Sequence, residues 1–413
     1  MTSLRRFDSP IAPMTIAAAL STVFAVLRWF DAAHKNLAEF IDAGSIFVNG
    51  AKAPKGLPIR AGFGYNGEFY YRLALDPFDM VRTAFGIRFH AAYFPERIGY
   101  PFFAWLLSRG QHELVPLTLV IANVLGCAVV GFAGGLLAKS ANRHSLWGLV
   151  FSCYWGYLWT IGLDLTELTT AAFVMLGIVA LIRHAPIWGS FAFLAAVLCK
   201  ESAIWLVSAL AIMAIWEKVR HRDYAIRRND LTFTIPLVGF GIWQLVLLGV
   251  IGRLPILTSG QANLGIPFVG LFGAIAHNAA TLPTGRAILS VLWFGEFIVF
   301  LVLGISAARA LKSAPVTIRW LWGAYVVLDI CASSAIWYGH VGFRSLGDFY
   351  LVSWVVLLYR PVSPWRLAVL CGGVWFVEAL QLILRIPANP YTCSGVSVHP
   401  SMKSEVAERP TLL

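Results

Sequence analysis

The sequence predicts an all-α membrane protein that crosses its bilayer about eleven times. Hydrophobic residues make up 58% of the 413 residues and charged residues only 13%, about half the charged fraction of an ordinary soluble domain. The apolar residues gather in successive runs, and no segment between the runs is long and polar enough to form a soluble domain. The 16 Trp and 13 Tyr residues fit this class, because their amphipathic rings are enriched at the lipid–water boundary.

The apolar runs give the candidate spans. The first is too long for the core of an ordinary signal peptide and has no clear cleavage site, so we interpret it as an uncleaved span. The candidates are residues 11–30, 115–138, 146–163, 165–182, 187–198, 202–216, 231–251, 287–311, 320–337, 349–359 and 365–384.

Two consecutive candidates are shorter than the roughly 17–25 residues that a full crossing needs. They are residues 187–198 and 202–216, and they flank Lys200 and Glu201. The pair is either one kinked helix with a neutralised Lys–Glu pair or two short helices that meet at a charged apex. The second interpretation is favoured because the first would invert every downstream segment.

The basic residues predict the orientation. The formal net charge is +11, and no nucleic-acid-binding motif gives this charge another meaning. Eleven spans with a cytoplasmic N-terminus place every basic cluster on the cytoplasmic side, as the positive-inside rule requires. The clusters are Arg5/Arg6, Lys139/Arg143, Arg183, the group in residues 218–228, the group in residues 309–319, and Arg360/Arg366.

This topology divides the chain into one transmembrane domain, residues 1–386, and a polar tail, residues 387–413, that we expect to be disordered. Residues 31–110 form a long first outer loop with short juxtamembrane helices. The order Asp76-Pro77 predicts an N-cap and a first helical residue for a helix over 77–85. Residues 98–108 are apolar but too short to span, which predicts an interfacial or re-entrant helix.

Aromatic residues interleave with Asn, Glu and Arg in the first outer loop, over residues 62–78 and 94–105. Such a pattern is typical of a sugar-binding platform and equally of an interfacial aromatic belt. The six cysteines form neither a disulfide framework nor a CxxC metal pattern.

Two first-loop segments resemble a known group of proteins. They are Tyr65-Asn66-Gly67-Glu68-Phe69-Tyr70-Tyr71-Arg72-Leu73-Ala74-Leu75-Asp76-Pro77-Phe78 and Glu96-Arg97-Ile98-Gly99-Tyr100-Pro101. They resemble bacterial polytopic proteins that are similar to C-type (GT-C fold) glycosyltransferases, and residues 165–168, 200–202 and 344–350 look like the same group. The resemblance extends to about residue 385.

The resemblance implies a transferase in the bacterial inner membrane. It would move a sugar from a polyprenyl-phosphate carrier to a glycan or lipid acceptor during assembly of a cell-envelope polymer. The chemistry would take place on the periplasmic face, and the partners would be the lipid bilayer, the lipid-linked sugar and the acceptor.

Such enzymes place an Asp or Glu of the first outer loop beside the acceptor as a general base. In the group, the position of Asn66 is typically Asp, and Asn cannot act as a base. Glu68, two residues later, supplies a carboxylate where Gln is common. Glu68 is therefore the first candidate base and Asp76 the second. The departure at Asn66 also leaves a non-catalytic membrane subunit open, and a flippase of lipid-linked saccharides is a further alternative.

The remaining candidates bind substrate. A basic group is needed to stabilise the departing lipid phosphate, and the candidates are Arg72, Arg97, Lys200, Arg344 and, if protonated, His340. The candidate contacts to sugar or acceptor are Tyr65, Asn66, Tyr70, Asp164, Glu167 and Glu201.

Structural roles compete with several of these assignments. Asp164 and Glu167 also fit an N-cap and a first-turn acid of the following helix, and the two carboxylates could join a divalent metal site. Arg344 could pair with Asp348 at i+4. A lone His such as His340 is commonly structural. The sequence makes no cofactor certain.

Overall fold

The computed structural model of the protein describes residues 8–222, 225, 227–283 and 287–384. The predicted tail and the basic pair Arg5/Arg6 lie outside the described residues. Helices dominate the described part of the chain, and its strands form two pairings of two residues each. The predicted all-α class is confirmed.

The α-helices of the described residues are short in the loops and long in the apolar runs. In chain order they are α1 (Ile11–Phe30), α2 (Gly67–Leu75), α3 (Gly99–Ser108), α4 (Val115–Ser140), α5 (Leu149–Ser152), α6 (Gly156–Gly162), α7 (Glu167–Ile182), α8 (Pro186–Cys199), α9 (Ala203–His221), α10 (Leu231–Ile251), α11 (Pro255–Asn263), α12 (Val269–Thr281), α13 (Ala287–Ala310), α14 (Val316–Ile330), α15 (Ser334–Trp337), α16 (His340–Phe343), α17 (Gly347–Leu358) and α18 (Trp365–Leu384).

Short 3-10 helices join several of these elements: Leu37–Ile41, Pro95–Arg97, His112–Leu114, Ser145–Gly148, Arg228–Asp230, Leu311–Ser313 and Arg344–Leu346. The strands lie in the first loop. β1 (Ala43–Gly44) pairs in parallel with β2 (Ile59–Arg60), and β3 (Thr83–Ala84) pairs antiparallel with β4 (Ile87–Arg88).

Six helical segments of the described chain are long and apolar enough to cross a membrane, with mean hydropathies from 1.4 to 2.4. They are Ile11–Phe30, His112–Ser140, Arg228–Ile251, Ile288–Ser313, His340–Leu358 and Trp365–Leu384. α7 and α8 are also apolar but have only 16 and 14 residues. These helices are those of a multi-pass membrane protein, and the count of eleven spans stays a prediction.

The chain reverses at Lys200, between α8 and α9. Gly189 near the start of α8 lies beside Thr232 at the start of α10, where a Cβ on Gly189 would be 3.6 Å from Cγ2 of Thr232. Near the end of α9, Lys218 Nζ donates to Asp230 Oδ2 at 2.5 Å, also at the start of α10. The start of α8 and the end of α9, which are the two ends farthest from Lys200, therefore lie close together. This is expected for two helices that meet at an apex.

The predicted span over 146–163 is broken. It consists of α5 and α6, separated at residues 153–155. Tyr154 fills the break and its hydroxyl donates to the carbonyl of Phe343. Gly156 opens α6 against Arg344, and a Cβ on Gly156 would lie 2.6 Å from the Arg344 Cα. The break lets the backbone before α17 approach α6 closely.

Two other predictions are wrong in detail. The segment 253–286, expected to be a loop, contains the helices α11 and α12. The span expected at 320–337 begins earlier, as α14, and its last residues form the separate turn α15. α12 packs closely against this turn, since a Cβ on Gly270 would lie 2.3 Å from the carbonyl oxygen of Ala332.

Basic residues at the predicted cytoplasmic ends also hold segments together. Lys139 Nζ donates to the carbonyl of Asp8 at 2.8 Å. Arg143 Nε donates to the carbonyl of Leu358 at 3.2 Å, and its Nη2 donates to the carbonyl of Arg360. The segment before α1, the α4–α5 connection and the α17–α18 connection thus lie on one side of the protein.

Gly156 and Gly241 provide a matched test of this packing. We expect Gly156→Ala to lower stability by about 1–3 kcal/mol, because the added methyl group overpacks a closed contact. A Cβ on Gly241 in α10 would meet nothing within 4 Å, so Gly241→Ala should leave stability unchanged or raise it by about 0.5–1 kcal/mol. Thermal unfolding in detergent measures both variants, and equal midpoints would contradict the close approach.

Candidate functional site

A buried ion pair joins the first loop to the α8–α9 apex. Arg97 donates through Nε to Glu201 Oε2 at 2.7 Å and through Nη2 to Glu201 Oε1 at 2.5 Å. Its third nitrogen, Nη1, donates to the Tyr70 hydroxyl at 2.9 Å. Ser259 of α11 donates to Glu201 Oε1 at 2.5 Å. The planar guanidinium suits this two-bond contact with a carboxylate, and the pair ties three segments together.

A second carboxylate is shared by two cations. Glu167 opens α7, and its Oε1 accepts from Lys200 Nζ at 3.2 Å and from Arg344 Nη1. Arg344 Nη2 also donates to the Tyr65 hydroxyl at 3.1 Å. All three charged side chains are at least nine-tenths buried. Buried charges must be paired. The Glu167 carboxylate therefore fixes the positions of Lys200 and Arg344 next to each other.

A small cavity opens beside this triad. It has room for about one water molecule, and it is lined by Tyr157, Glu167, Thr170, Lys200, Arg344, Ser345, Gly347 and Asp348. Asp348 Oδ2 accepts from the Ser202 hydroxyl at 3.1 Å. The cavity is far smaller than the 300–1,000 Å³ that is usual for ligand pockets, so a phosphoryl group would bind only if the lining side chains moved apart.

Five connecting segments meet in this region: the first loop, the turn before α7, the α8–α9 apex, α11, and the turn before α17. Each of the five belongs to a segment that the charge distribution assigns to the outer face. Charge counting and the three-dimensional contacts therefore agree on which loops share a side.

The ion pairs differ from those expected from sequence. Lys200 and Glu201 do not neutralise each other, since Lys200 contacts Glu167 and Glu201 contacts Arg97. Arg344 likewise contacts Glu167 instead of Asp348 at i+4. Both predicted pairs, Lys200–Glu201 and Arg344–Asp348, are replaced by ion pairs between segments that are distant in sequence. At the apex, the side chains of Lys200 and Glu201 point toward different neighbours.

Glu68 lies in α2 beneath two glycines of the first loop. Its Oε2 accepts from the Gly44 amide at 2.8 Å, and a Cβ on Gly64 would lie 2.7 Å from the same oxygen. The side chain is only 1% exposed. Burial raises the pKa of Glu68 to about 8, and the Gly44 hydrogen bond opposes part of this rise. Glu68 does not line the cavity, and its role as base stays a prediction.

The other first-loop candidates, Asp76 and Arg72, also make their contacts within the first loop. The helix expected at 77–85 is absent; α2 ends before Asp76, whose Oδ1 accepts from the Phe78 amide at 2.9 Å. Pro77 therefore follows a helix instead of opening one. The Arg72 guanidinium stacks on Phe89 at 3.7 Å and lies 3.7 Å from Asp79 Oδ1.

Asn66 immediately precedes α2, and its side chain makes no capping hydrogen bond. Asp164 is not an N-cap either, since α7 begins at Glu167 with Thr166 before it. Asp164 has φ +49°, and both of its carboxylate oxygens are buried without a hydrogen-bond partner. Glu167 is the first-turn acid that the sequence predicts.

His340 faces away from this cavity and toward two acids. Its Nδ1 lies 2.8 Å from Glu296 Oε2 and 3.6 Å from Glu378 Oε1. Glu296 and Glu378 were not among the predicted site residues. The signal was present, because ionisable residues inside apolar spans are functional candidates by default.

Of the predicted site residues, the structure brings together Tyr65, Tyr70, Arg97, Glu167, Lys200, Glu201 and Arg344. It adds Ser202 and Asp348, which lie in the segments 200–202 and 344–350 that carry the resemblance, and Ser259, which gave no signal in the sequence. No known family model matches the chain, and no curated protein matches it in sequence.

The raised pKa of Glu68 predicts a pH-dependent stability. Its pKa is 4.5 in the unfolded chain and about 8 in the folded one. Between these values the folded state binds more protons, so the free energy of unfolding falls as pH rises. We expect Glu68→Gln to flatten this fall.

Thermal unfolding midpoints between pH 5 and about 8 measure the effect. Glu113→Gln is the control, because Glu113 is exposed and its substitution should preserve the wild-type slope. A Glu68→Gln variant with the wild-type slope would show that Glu68 is ionised in the folded protein.

Proposed function

We propose that the protein is a membrane glycosyltransferase with a GT-C-like fold. It transfers a sugar from a polyprenyl-phosphate carrier to a glycan or lipid acceptor in cell-envelope assembly. The observation that carries this proposal is the convergence of Lys200 and Arg344 on one carboxylate beside a cavity, with Arg97 in the adjoining ion pair.

The shared carboxylate suggests how a phosphate would bind. Glu167 neutralises both Lys200 and Arg344. Arg344 Nε is buried without a partner, so the guanidinium retains a donor for a ligand. A lipid phosphate that displaced the Glu167 carboxylate would take over the contacts to both cations, as phosphate and carboxylate are recognised by the same donor geometry. Glu167 is then the counter-ion of the empty site.

The proposed reaction is a displacement at the anomeric carbon. The acceptor hydroxyl oxygen forms the new bond to this carbon, and the bond from the carbon to the phosphate oxygen breaks. Polyprenyl phosphate leaves with the electron pair, and Lys200 and Arg344 stabilise its charge. A carboxylate takes the proton of the acceptor hydroxyl.

Two carboxylates are candidates for this base. The family resemblance assigns the role to Glu68. The cavity geometry favours Asp348, which lines the cavity and accepts only one side-chain hydrogen bond, from Ser202. Glu167 also lines the cavity but is not proposed as the base, because two cations already share its Oε1.

The proposed topology has eleven crossings, the N-terminus in the cytoplasm and the cavity on the periplasmic face of a bacterial inner membrane. Two observations support it. The predicted outer loops meet around the cavity, and basic residues join predicted cytoplasmic connections on another side. The reversal at Lys200 also counts α8 and α9 as two crossings instead of one. This count keeps the downstream basic clusters on the cytoplasmic side, as the positive-inside rule requires.

Replacement of either cavity cation should abolish most transfer. We expect Lys200→Gln and Arg344→Gln each to lower the rate by about 100-fold or more, because each removes a donor to the departing phosphate. Each variant leaves Glu167 with the other cation, so both should fold. Lys139→Gln is the control, because Lys139 is 43% exposed and pairs with Asp8.

The assay uses purified protein in liposomes with a labelled polyprenyl-phosphate sugar. Release of polyprenyl phosphate with transfer of the sugar supports the proposal. Movement of the intact donor across the vesicle without bond cleavage would identify a flippase. No turnover and no movement with any donor tested would favour a non-catalytic subunit.

The same assay identifies the base. If Glu68 is the base, Glu68→Gln abolishes transfer and Asp348→Asn retains much of it. If Asp348 is the base, the pattern is reversed. Base variants that still bind the donor but fail to transfer the sugar separate loss of proton transfer from loss of binding.

A further inference from the structure

We infer that Glu296, His340 and Glu378 form a binding site for a single divalent transition-metal cation inside the helical bundle. The three residues belong to α13, α16 and α18. Their possible ligand atoms all lie within 4.8 Å of one another, and all three side chains are buried. The site is separate from the cavity residues and does not depend on the proposed transferase activity.

The hydrogen bonds of His340 orient its free electron pair toward the acids. Its Nε2 lies 2.8 Å from the carbonyl oxygen of Leu289. A carbonyl only accepts, so Nε2 carries a proton, and in the neutral ring Nδ1 presents its lone pair. This nitrogen faces Glu296 Oε2 at 2.8 Å and Glu378 Oε1 at 3.6 Å. Electron-rich atoms that face one another are held together by a shared proton or by a cation, and this geometry suits a cation that all three residues contact.

Two carboxylate oxygens of the site accept no hydrogen bond from the N–H and O–H groups of the described residues. Glu296 Oε1 and Glu378 Oε1 are buried without a hydrogen-bond partner. The residues are 2% and 1% exposed, so water does not compensate for the missing contacts. An unpaired buried carboxylate is costly. A cation at this point would satisfy these oxygens and the lone pair of His340 together.

The surroundings resemble those of known metal ligands. Metal-binding His residues commonly donate their second ring nitrogen to a carbonyl, as His340 does to Leu289, and ligating carboxylates are themselves hydrogen-bonded. Here Trp159 Nε1 donates to Glu378 Oε2 at 3.2 Å. These outer contacts fix the imidazole tautomer and the orientation of one carboxylate.

The ligand set indicates the class of metal. One imidazole nitrogen with two carboxylates suits Zn²⁺, Mn²⁺ or Fe²⁺ better than Mg²⁺ or Ca²⁺, which prefer oxygen ligands alone. A dication also balances the two carboxylate charges. Because α13 and α18 contain candidate spans, a neutral metal–carboxylate site would remove two uncompensated charges from a low-dielectric region.

The test measures metal bound to the full-length protein in detergent. Chelator-stripped protein is dialysed against Zn²⁺ or Mn²⁺, and the bound metal is measured by mass spectrometry. We expect one equivalent per chain and an increase in the thermal unfolding midpoint on binding. Glu296→Gln and His340→Gln should lose the bound metal. Trp159→Phe, which removes only an outer contact, should weaken affinity roughly 10–100-fold.

Glu96→Gln is the matched control. Glu96 is 0% exposed, and both of its carboxylate oxygens lack a hydrogen-bond partner, but it belongs to the first loop. This variant should retain the full metal content. Circular dichroism and size-exclusion chromatography establish that each variant is folded, and Trp159→Phe tests the site if a ligand variant fails to fold.

The inference fails if folded wild-type protein binds no metal above the buffer blank. In that case the two carboxylates and His340 share protons instead. It also fails if Glu296→Gln, His340→Gln and Trp159→Phe all bind metal as the wild type does, because the bound ion would then lie elsewhere.

Discussion

The outer region of this protein depends on the contact of Glu167 with Lys200 and Arg344. The three side chains come from the start of α7, the α8–α9 apex and the turn before α17. All are buried, so none can leave its partner without exposing an unpaired charge to a low-dielectric environment. The contact therefore positions three helix ends at once. Tyr65 extends it to the first loop through its hydrogen bond to Arg344.

The first loop is a packed layer whose polar residues have two different tasks. Glu68 and Arg72 hold the loop together, through the Gly44 amide and the ring of Phe89. Tyr70 and Arg97 face the bundle and join it at Glu201. The division explains why residues of one sequence motif separate in space. On a helix such as α2, residues that are close in sequence point to different sides.

The protein contains two buried polar centres of different chemistry. The centre at Glu167, Lys200 and Arg344 combines two cations with a carboxylate, so its charge balance suits an anionic ligand. The centre at Glu296, His340 and Glu378 combines two acids with an imidazole, so a bound cation would balance its charge. Both centres are expensive to bury, and membrane proteins retain such groups where a ligand or ion compensates them. The opposite charge balance of the two centres implies different ligands.

The sequence by itself determined the helical membrane class and most helix positions, and it predicts the side on which each loop lies. Hydropathy and basic residues report these properties directly, because each depends on a segment and its solvent. Only the tertiary structure decided the partners of Lys200, Glu201 and Arg344, the break before Gly156, and the separation of His340 from the cavity. These features depend on contacts between segments that are distant in sequence. The residues next to a turn in the sequence do not indicate the direction in which a side chain of that turn points.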